Sequence, residues 1–205
     1  MPTLTHDIII SGAGPVGSTL ALMLAEKTGR PERIALVGKF PAAGQNRTDT
    51  VIVQQGVTEQ AGMAANTHIP DPRTLALNQG SRVLLQHLGA WPDAAANIHV
   101  VHVSQQGRLG RTRIHRDDLN VPRLGSVVAY SALLAKLHDS LHNSGVDIID
   151  AVDATPQSGP GHVRCTTPNA TLSAHVAVLS DGSRPRGVQR HYNQDALIAT
   201  ARASL

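Results

Sequence analysis

Asp7-Ile8-Ile9-Ile10-Ser11-Gly12-Ala13-Gly14-Pro15-Val16-Gly17 decides the fold of this chain. The apolar triplet predicts a buried strand, and the glycines behind it stand at Gly-x-Gly-x-x-Gly spacing. A strand that stops abruptly and hands over to a helix aims the free N–H groups of the helix N-terminus at an anion. Gly12 is expected to make the turn, Gly14 to let backbone N–H groups approach phosphates, and Gly17 to let the helix pack closely on the strand. The run from Val16 to Leu24 supplies that helix, with Leu20, Ala21 and Leu24 as its apolar residues, and residues 33–37 predict a second strand. This context favours a βαβ pyrophosphate seat for a dinucleotide over a surface loop that is glycine-rich by chance.

One element of the dinucleotide fingerprint is absent. An acidic side chain that binds the adenosine ribose belongs at the end of the second strand, where this chain has Gly38 and then Lys39. Glycine offers no side-chain acceptor. Reduced affinity, a substitute acceptor, or an NADP-type ribose phosphate on Lys39 are all open at this point.

The chain has 205 residues, enough for one domain with a real core and part of another. Aromatic residues make up only 2%, so the core is expected to be aliphatic and no nucleic-acid stacking surface is indicated. A formal charge of +3 accompanies a cluster at Arg108, Arg111, Arg113, Arg116 and Arg123. Asp117 and Asp118 partly balance it, and a solvated hairpin face is the favoured reading. Cys165 is the single cysteine, which excludes a disulfide framework and a Cys-based zinc site. The eleven histidines show no metal-ligand spacing, so no metal is expected and they read as surface or structural residues. No leader pattern or run of about 18 apolar residues occurs, so the expected location is cytoplasmic.

Residues 41–72 read as a long loop. A helix is expected from Thr74, with Leu77, Val83, Leu84 and Leu88 as its apolar face and Gly89 as its end. Asp93-Ala94-Ala95-Ala96 suggests another helical turn, and residues 99–104 and 111–115 suggest a hairpin. Residues 125–130 read as a strand, after which Ser131 is expected to cap a helix carrying Leu133, Leu134, Leu137 and Leu141, with Gly145 as its stop. Strands are then expected at 146–149, 162–165 and 172–179, with a Pro/Gly turn region at 156–161.

Further landmarks extend the pattern. Asp71-Pro72-Arg73-Thr74-Leu75-Ala76-Leu77 with Gly80-Ser81, then Leu88-Gly89-Ala90-Trp91, are followed by His102-Val103-Ser104 with Gly107 and Gly110, Leu124-Gly125-Ser126-Val127-Val128, and Asp181-Gly182. In this order they resemble the N-terminal half of the ubiquinone-biosynthesis hydroxylases, flavin monooxygenases related to p-hydroxybenzoate hydroxylase. The resemblance implies an α/β, Rossmann-like FAD-binding fold with a parallel sheet, plus part of an antiparallel substrate sheet. Residues 1–205 would be a truncated FAD-binding domain that includes a partial substrate-sheet hairpin at about 98–116.

By the same resemblance Gly12, Gly14, Pro15, Val16 and Gly17 would hold the FAD pyrophosphate, Arg73 would lie along the flavin-phosphate region, and Asp181 with Gly182 would close over the cofactor and meet passing NADPH. Plainer alternatives are that Arg73 caps a helix from Thr74 and that Asp181-Gly182 is only a turn. The implied reaction is hydroxylation of an aromatic quinone precursor with NAD(P)H and oxygen. The flavin carries the chemistry, so no side chain is expected as catalytic acid, base or nucleophile. Partners would be the precursor and other ubiquinone-pathway enzymes, with at most peripheral membrane contact.

Departures from the family pattern are Gly38 at the ribose acid, Ala129-Tyr130 in place of Glu-Asn, and Pro185 in place of a serine. The family's later Gly-Asp-Ala-Ala-His and His-Pro…Gly-Gln-Gly segments do not occur, so a truncated form is expected and its activity is left open. Two other readings stand beside it: an NADP-dependent dehydrogenase, and a non-catalytic remnant or partner-binding domain.

Overall fold

A computed structural model describes residues 4–40, 73–104, 107, 109–151, 154–182 and 190. The elements run β1 (Ile8–Ser11), α1 (Pro15–Thr28), β2 (Ile34–Gly38), β3 (Thr74–Asn78), α2 (Gln79–His87), β4 (Ala96–Ile98), β5 (Val100–Ser104) and β6 (Arg111–His115), continuing with β7 (Gly125–Ala129), α3 (Tyr130–His142), β8 (Asp147–Asp150), β9 (Pro156–Gly159), β10 (His162–Thr166), β11 (Thr171–Ala174) and β12 (Val176–Leu179). The fold is α/β. Its centre is a parallel sheet in the order β12-β1-β2-β8.

Strand periodicity splits the core into two layers. Ile10, Ile34 and Leu36 face α1 and α3, where Ala21, Leu22, Ala25, Leu133, Leu137 and Leu141 meet them. Ile9, Ala35 and Val37 face the other way, against Cys165, Leu172 and Ala174 of the antiparallel sheet β11-β10-β9. Each leucine buried from α3 contributes on the order of 2 kcal/mol. The helical face of α1 is made of small residues, with Gly17, Ser18, Ala21 and Ala25 buried, so the helix lies close to the sheet. Proline opens α1 and Gly29, at φ +63°, ends it in the left-handed conformation.

A second antiparallel sheet has the order β3-β7-β4, and β5-β6 forms a separate two-stranded hairpin over the 98–116 region. The arginine cluster divides here. Arg111 and Arg113 are exposed on the hairpin, Arg116 pairs with Asp117 at 3.3 Å, and Arg123 reaches Gln79 of α2 instead. Arg108 lies outside the described residues, as do the expected loop at 41–72 and the Asp71-Pro72 and Pro185 landmarks.

Several expected elements are corrected. Thr74–Asn78 is a strand, not the start of a helix: Thr74, Ala76 and Asn78 are exposed while Leu75 and Leu77 turn inward, a period of two satisfied by pairing with β7. The helix begins only at Gln79, capped by Asn78, whose Oδ1 accepts the Ser81 N–H at 2.7 Å. Residues 93–96 form no helical turn. Ala96 enters β4 opposite Val127, because strand pairing outweighs a run too short to nucleate a helix. Ser131 is not a cap: α3 starts at Tyr130 with Ala129 as its uncapped N-cap, and the Tyr130 N–H donates to the Arg73 carbonyl at 2.9 Å. Of the expected turn region at 156–161, Pro156–Gly159 is a strand and only Pro160-Gly161 is the turn. The expected strand at 172–179 breaks at His175, since β11 pairs antiparallel with β10 whereas β12 pairs parallel with β1.

Candidate functional site: a cleft at the carboxyl edge of the parallel sheet

The chain leaves β1 for β2 on one side and returns as β12 on the other, so the strand order switches at β1. Crevices at such a switch point, beyond the carboxyl ends of the strands, are where open α/β sheets bind ligands. A cleft of about 370 Å³ lies there, floored by Gly12, Ala13 and Gly38 and bordered by Gly14, Lys39, Tyr130 and Asp181.

The glycines of the turn are not equivalent. Gly12 has φ +117°, and a Cβ there would stand 2.6 Å from the Asp181 nitrogen and the Ser180 carbonyl carbon. A Cβ on Gly17 would run into the Gly12 carbonyl and come 2.5 Å from Ser180 Oγ. Both positions exclude any side chain because backbone already fills the space. Gly14 differs: its missing Cβ faces the cleft, with the Tyr130 hydroxyl 4.0 Å away as the nearest atom.

The helix start supplies donors. Pro15 has no N–H and the Ser18 N–H donates to the Gly14 carbonyl at 2.9 Å, which leaves the N–H groups of Val16 and Gly17 without helical partners. Val16 is exposed. No acidic side chain lies in the first turn of α1, so its positive end is not neutralised from within the helix.

Asp181 borders the cleft directly after β12, and Gly182 beside it takes φ +64°. Ser180 welds that segment to the turn: its Oγ donates to the Ser11 and Gly12 carbonyls at 3.0 and 3.1 Å, and its N–H donates to the Ser11 carbonyl at 2.8 Å. Arg73 sits one step back from the cleft. Its guanidinium lies 4.6 Å over the Tyr130 ring, and the Tyr130 ring borders the cleft. The structure thus gathers Gly12, Gly14 and Asp181 at one cleft, sets Pro15, Val16 and Gly17 in the helix turn beside it, and brings Arg73 near through Tyr130. Arg73 does not cap a helix from Thr74, because a strand starts there.

Gly38 has a structural reason. A Cβ there would come within 2.5 Å of the Ala13 nitrogen and 2.7 Å of Ala13 Cβ, so the place of the ribose acid is taken by the turn itself. The adjacent Lys39 borders the cleft with no carboxylate paired to it among the described residues. Asp150, across from Gly38 on β8, accepts the Phe40 N–H at 3.2 Å.

The residues that sequence reasoning missed lie behind the cleft. His138 of α3 is 4% exposed, with Nε2 3.0 Å from the Ala13 carbonyl oxygen and its ring 4.8 Å from Phe40. Burial pushes its pKa below the ordinary histidine value, while the Ala13 carbonyl pulls the other way. Neutral His138 therefore donates through Nε2. Its place among Leu133, Leu134, Leu137 and Leu141 was the available signal, since a histidine on an apolar stripe needs a buried partner. Among the described residues no cluster of His, Cys, Asp and Glu could hold a metal ion.

The chain has a Rossmann-like α/β fold, similar to that of monooxygenases of known structure. No protein-family model and no curated protein sequence matches it. Among solved structures it is similar to p-nitrophenol 4-monooxygenase PnpA from Pseudomonas putida DLL-E4, at a TM-score of 0.58 and 18% identity over 90% of this chain and 42% of that one. CtdE, solved in complex with FAD, matches at a TM-score of 0.51 and 14% identity over 86% and 38% of the respective chains. The peptidyl tryptophan dihydroxylase QhpG matches at 0.52 and 17%, over 91% and 34%. The chain spans well under half the length of each of these neighbours. Among the described residues no helix is long and apolar enough to cross a membrane.

Proposed function

We propose that this chain carries the FAD-binding part of a flavin monooxygenase that hydroxylates an aromatic quinone precursor, with NAD(P)H as reductant. The observation that carries the reading is the Gly14 cradle: a cleft at the strand switch, open where a Gly14 Cβ would stand, at the start of a helix whose Val16 and Gly17 N–H groups have no helical partners. That donor set fits a pyrophosphate. Gly12 shapes the turn, Gly17 seats the helix, and Asp181 with Gly182 forms the opposite lip. Bound FAD would supply the electron transfer and oxygen activation that no side chain here offers. The chain's own part is to bind, orient and shield. A lipophilic precursor would require at most peripheral contact with a membrane, with other ubiquinone-pathway enzymes as partners in the cytoplasm.

Titration of the purified chain with FAD, followed by flavin fluorescence and by thermal shift, tests this. Saturable binding that weakens in Gly14→Val supports it; the absence of binding, or an unaffected variant, overturns it. The second reading, an NADP site, is favoured by Lys39 beside Gly38. It requires that NADP displace FAD and that Lys39→Ala abolish the displacement.

A further inference from the structure

We infer that His138 is a positioning residue of the anion seat: together with Ser18 it turns the Ala13 carbonyl into the core and thereby aims the Gly14 N–H at the cleft. The inference rests on the cleft being a phosphate seat, as proposed above, and adds what holds its donor in place.

Ala13 is the pivot of the glycine turn. Its carbonyl oxygen accepts two hydrogen bonds from the protein side, from Ser18 Oγ at 3.1 Å and from His138 Nε2 at 3.0 Å. Both donors are buried, Ser18 completely and His138 at 4% exposure. In a trans peptide the C=O of one residue and the N–H of the next point in opposite directions, and no cis bond occurs among the described residues. With the Ala13 oxygen held inward, the Gly14 N–H points the opposite way, away from Ser18 and His138, and Gly14 borders the cleft. The opposite orientation would present a carbonyl oxygen to an anion. Rotation of this peptide therefore separates a binding seat from a repelling one.

A histidine kept only for stability is a poor choice at this place. Among the described residues His138 Nδ1 is buried with no hydrogen-bond partner, and such an atom costs folding free energy. A leucine would fill the same apolar pocket beside Phe40 without that cost, and Ser18 would still satisfy the Ala13 oxygen. The imidazole thus supplies what leucine cannot, a second donor from α3 that ties the glycine turn to a different element from the one Ser18 belongs to.

The test compares the native chain with His138→Leu and His138→Gln. Inorganic phosphate is titrated while the Gly14 amide is followed by nitrogen-15 NMR, and FAD affinity and melting temperature are measured on the same samples. Phosphate is expected to shift the Gly14 amide of the native chain. His138→Leu should weaken phosphate and FAD binding about 3- to 10-fold, the size of one lost hydrogen bond, with the melting temperature unchanged or raised. His138→Gln, whose amide also donates, should keep binding within about twofold of native. An equal Gly14 response in native and His138→Leu overturns the inference, as does no response in the native chain. Loss of binding that only tracks a fall in melting temperature overturns it too. If phosphate behaves as expected and FAD does not bind, the positioning role stands and the flavin reading falls.

Discussion

The floor and the mouth of the cleft are both glycine, and they are glycine for different reasons. On the floor Gly12 and Gly38, and directly behind it Gly17, each sit where a Cβ would meet backbone: the Asp181 nitrogen, the Ala13 nitrogen and the Gly12 carbonyl respectively. At the mouth, Gly14 meets nothing closer than the Tyr130 hydroxyl, 4.0 Å away. The floor glycines serve the fold by letting three strand ends and a helix converge. Gly14 serves the ligand. A glycine motif therefore holds structural and functional positions that spacing alone does not separate, and the contents of the missing Cβ volume do.

Substitution on the floor should have the largest effect. Gly17→Ala pushes a methyl group into the Gly12 carbonyl, and neither backbone can yield without moving α1 off β1. We expect a loss of about 3 kcal/mol or more in urea unfolding, with Gly12→Ala similar because its φ of +117° adds backbone strain. If Gly17→Ala unfolds with native stability, the distinction between floor and mouth is wrong.

Gly38→Glu comes next. It restores the acid of the dinucleotide fingerprint, yet the side chain would have to displace Ala13. The expected outcome is a destabilisation of about 1–3 kcal/mol with no gain in FAD affinity, read by urea unfolding and flavin titration. A variant that binds FAD more tightly at native stability would show that the turn can give way and that the acid is merely lost.

At the mouth the balance inverts. Gly14→Ala should unfold within about 0.5 kcal/mol of native, because the methyl group enters open space and φ is −74°. Its affinity for FAD should nevertheless fall about tenfold, near 1.4 kcal/mol. Calorimetric titration beside thermal unfolding separates the two quantities. A stability loss equal to that of Gly17→Ala would return Gly14 to the floor class.

How much of this was legible in the sequence follows from the same contrast. The β1–α1–β2 unit was readable because an isoleucine run, spaced glycines, an apolar helix and a second strand all point to one local structure, and Ser180-Asp181-Gly182 was readable as a loop behind an apolar strand. Thr74–Asn78 was misread because Leu77, Val83, Leu84 and Leu88 imitate a helical stripe, while the alternation of Leu75 and Leu77 carries the strand over only five residues. β4, with three residues, exists through its pairing with β7, far along the chain, while β9, with four, forms a hairpin with β10 although its Pro-Gln-Ser-Gly run has little strand propensity of its own. Gly38 read as a lost acid, since only the fold reveals Ala13 against it. His138 was passed over because a lone histidine among leucines looks the same whether it fills a core or holds a carbonyl.

The smallest effect concerns His138 and acid. Burial holds it neutral in the fold, and its folded pKa lies below that of the unfolded chain; neighbouring His142 adds to the lowering and Asp139 opposes it. As the pH falls through about 6.5 the unfolded chain takes up the proton first, so this contribution to stability is complete above that value and is lost as the pH drops towards the folded pKa. His138→Leu removes the titration. Melting temperatures of the two chains, compared from about pH 8 to about pH 5, should therefore diverge in favour of the variant as the solution becomes acidic, with a slope below about 1.4 kcal/mol per pH unit for one proton. The His6–Asp147 contact at 2.9 Å is common to both chains and cancels in the difference. A difference that stays constant with pH would mean that His138 titrates alike in the folded and unfolded chain, and that burial does not disfavour its charged form.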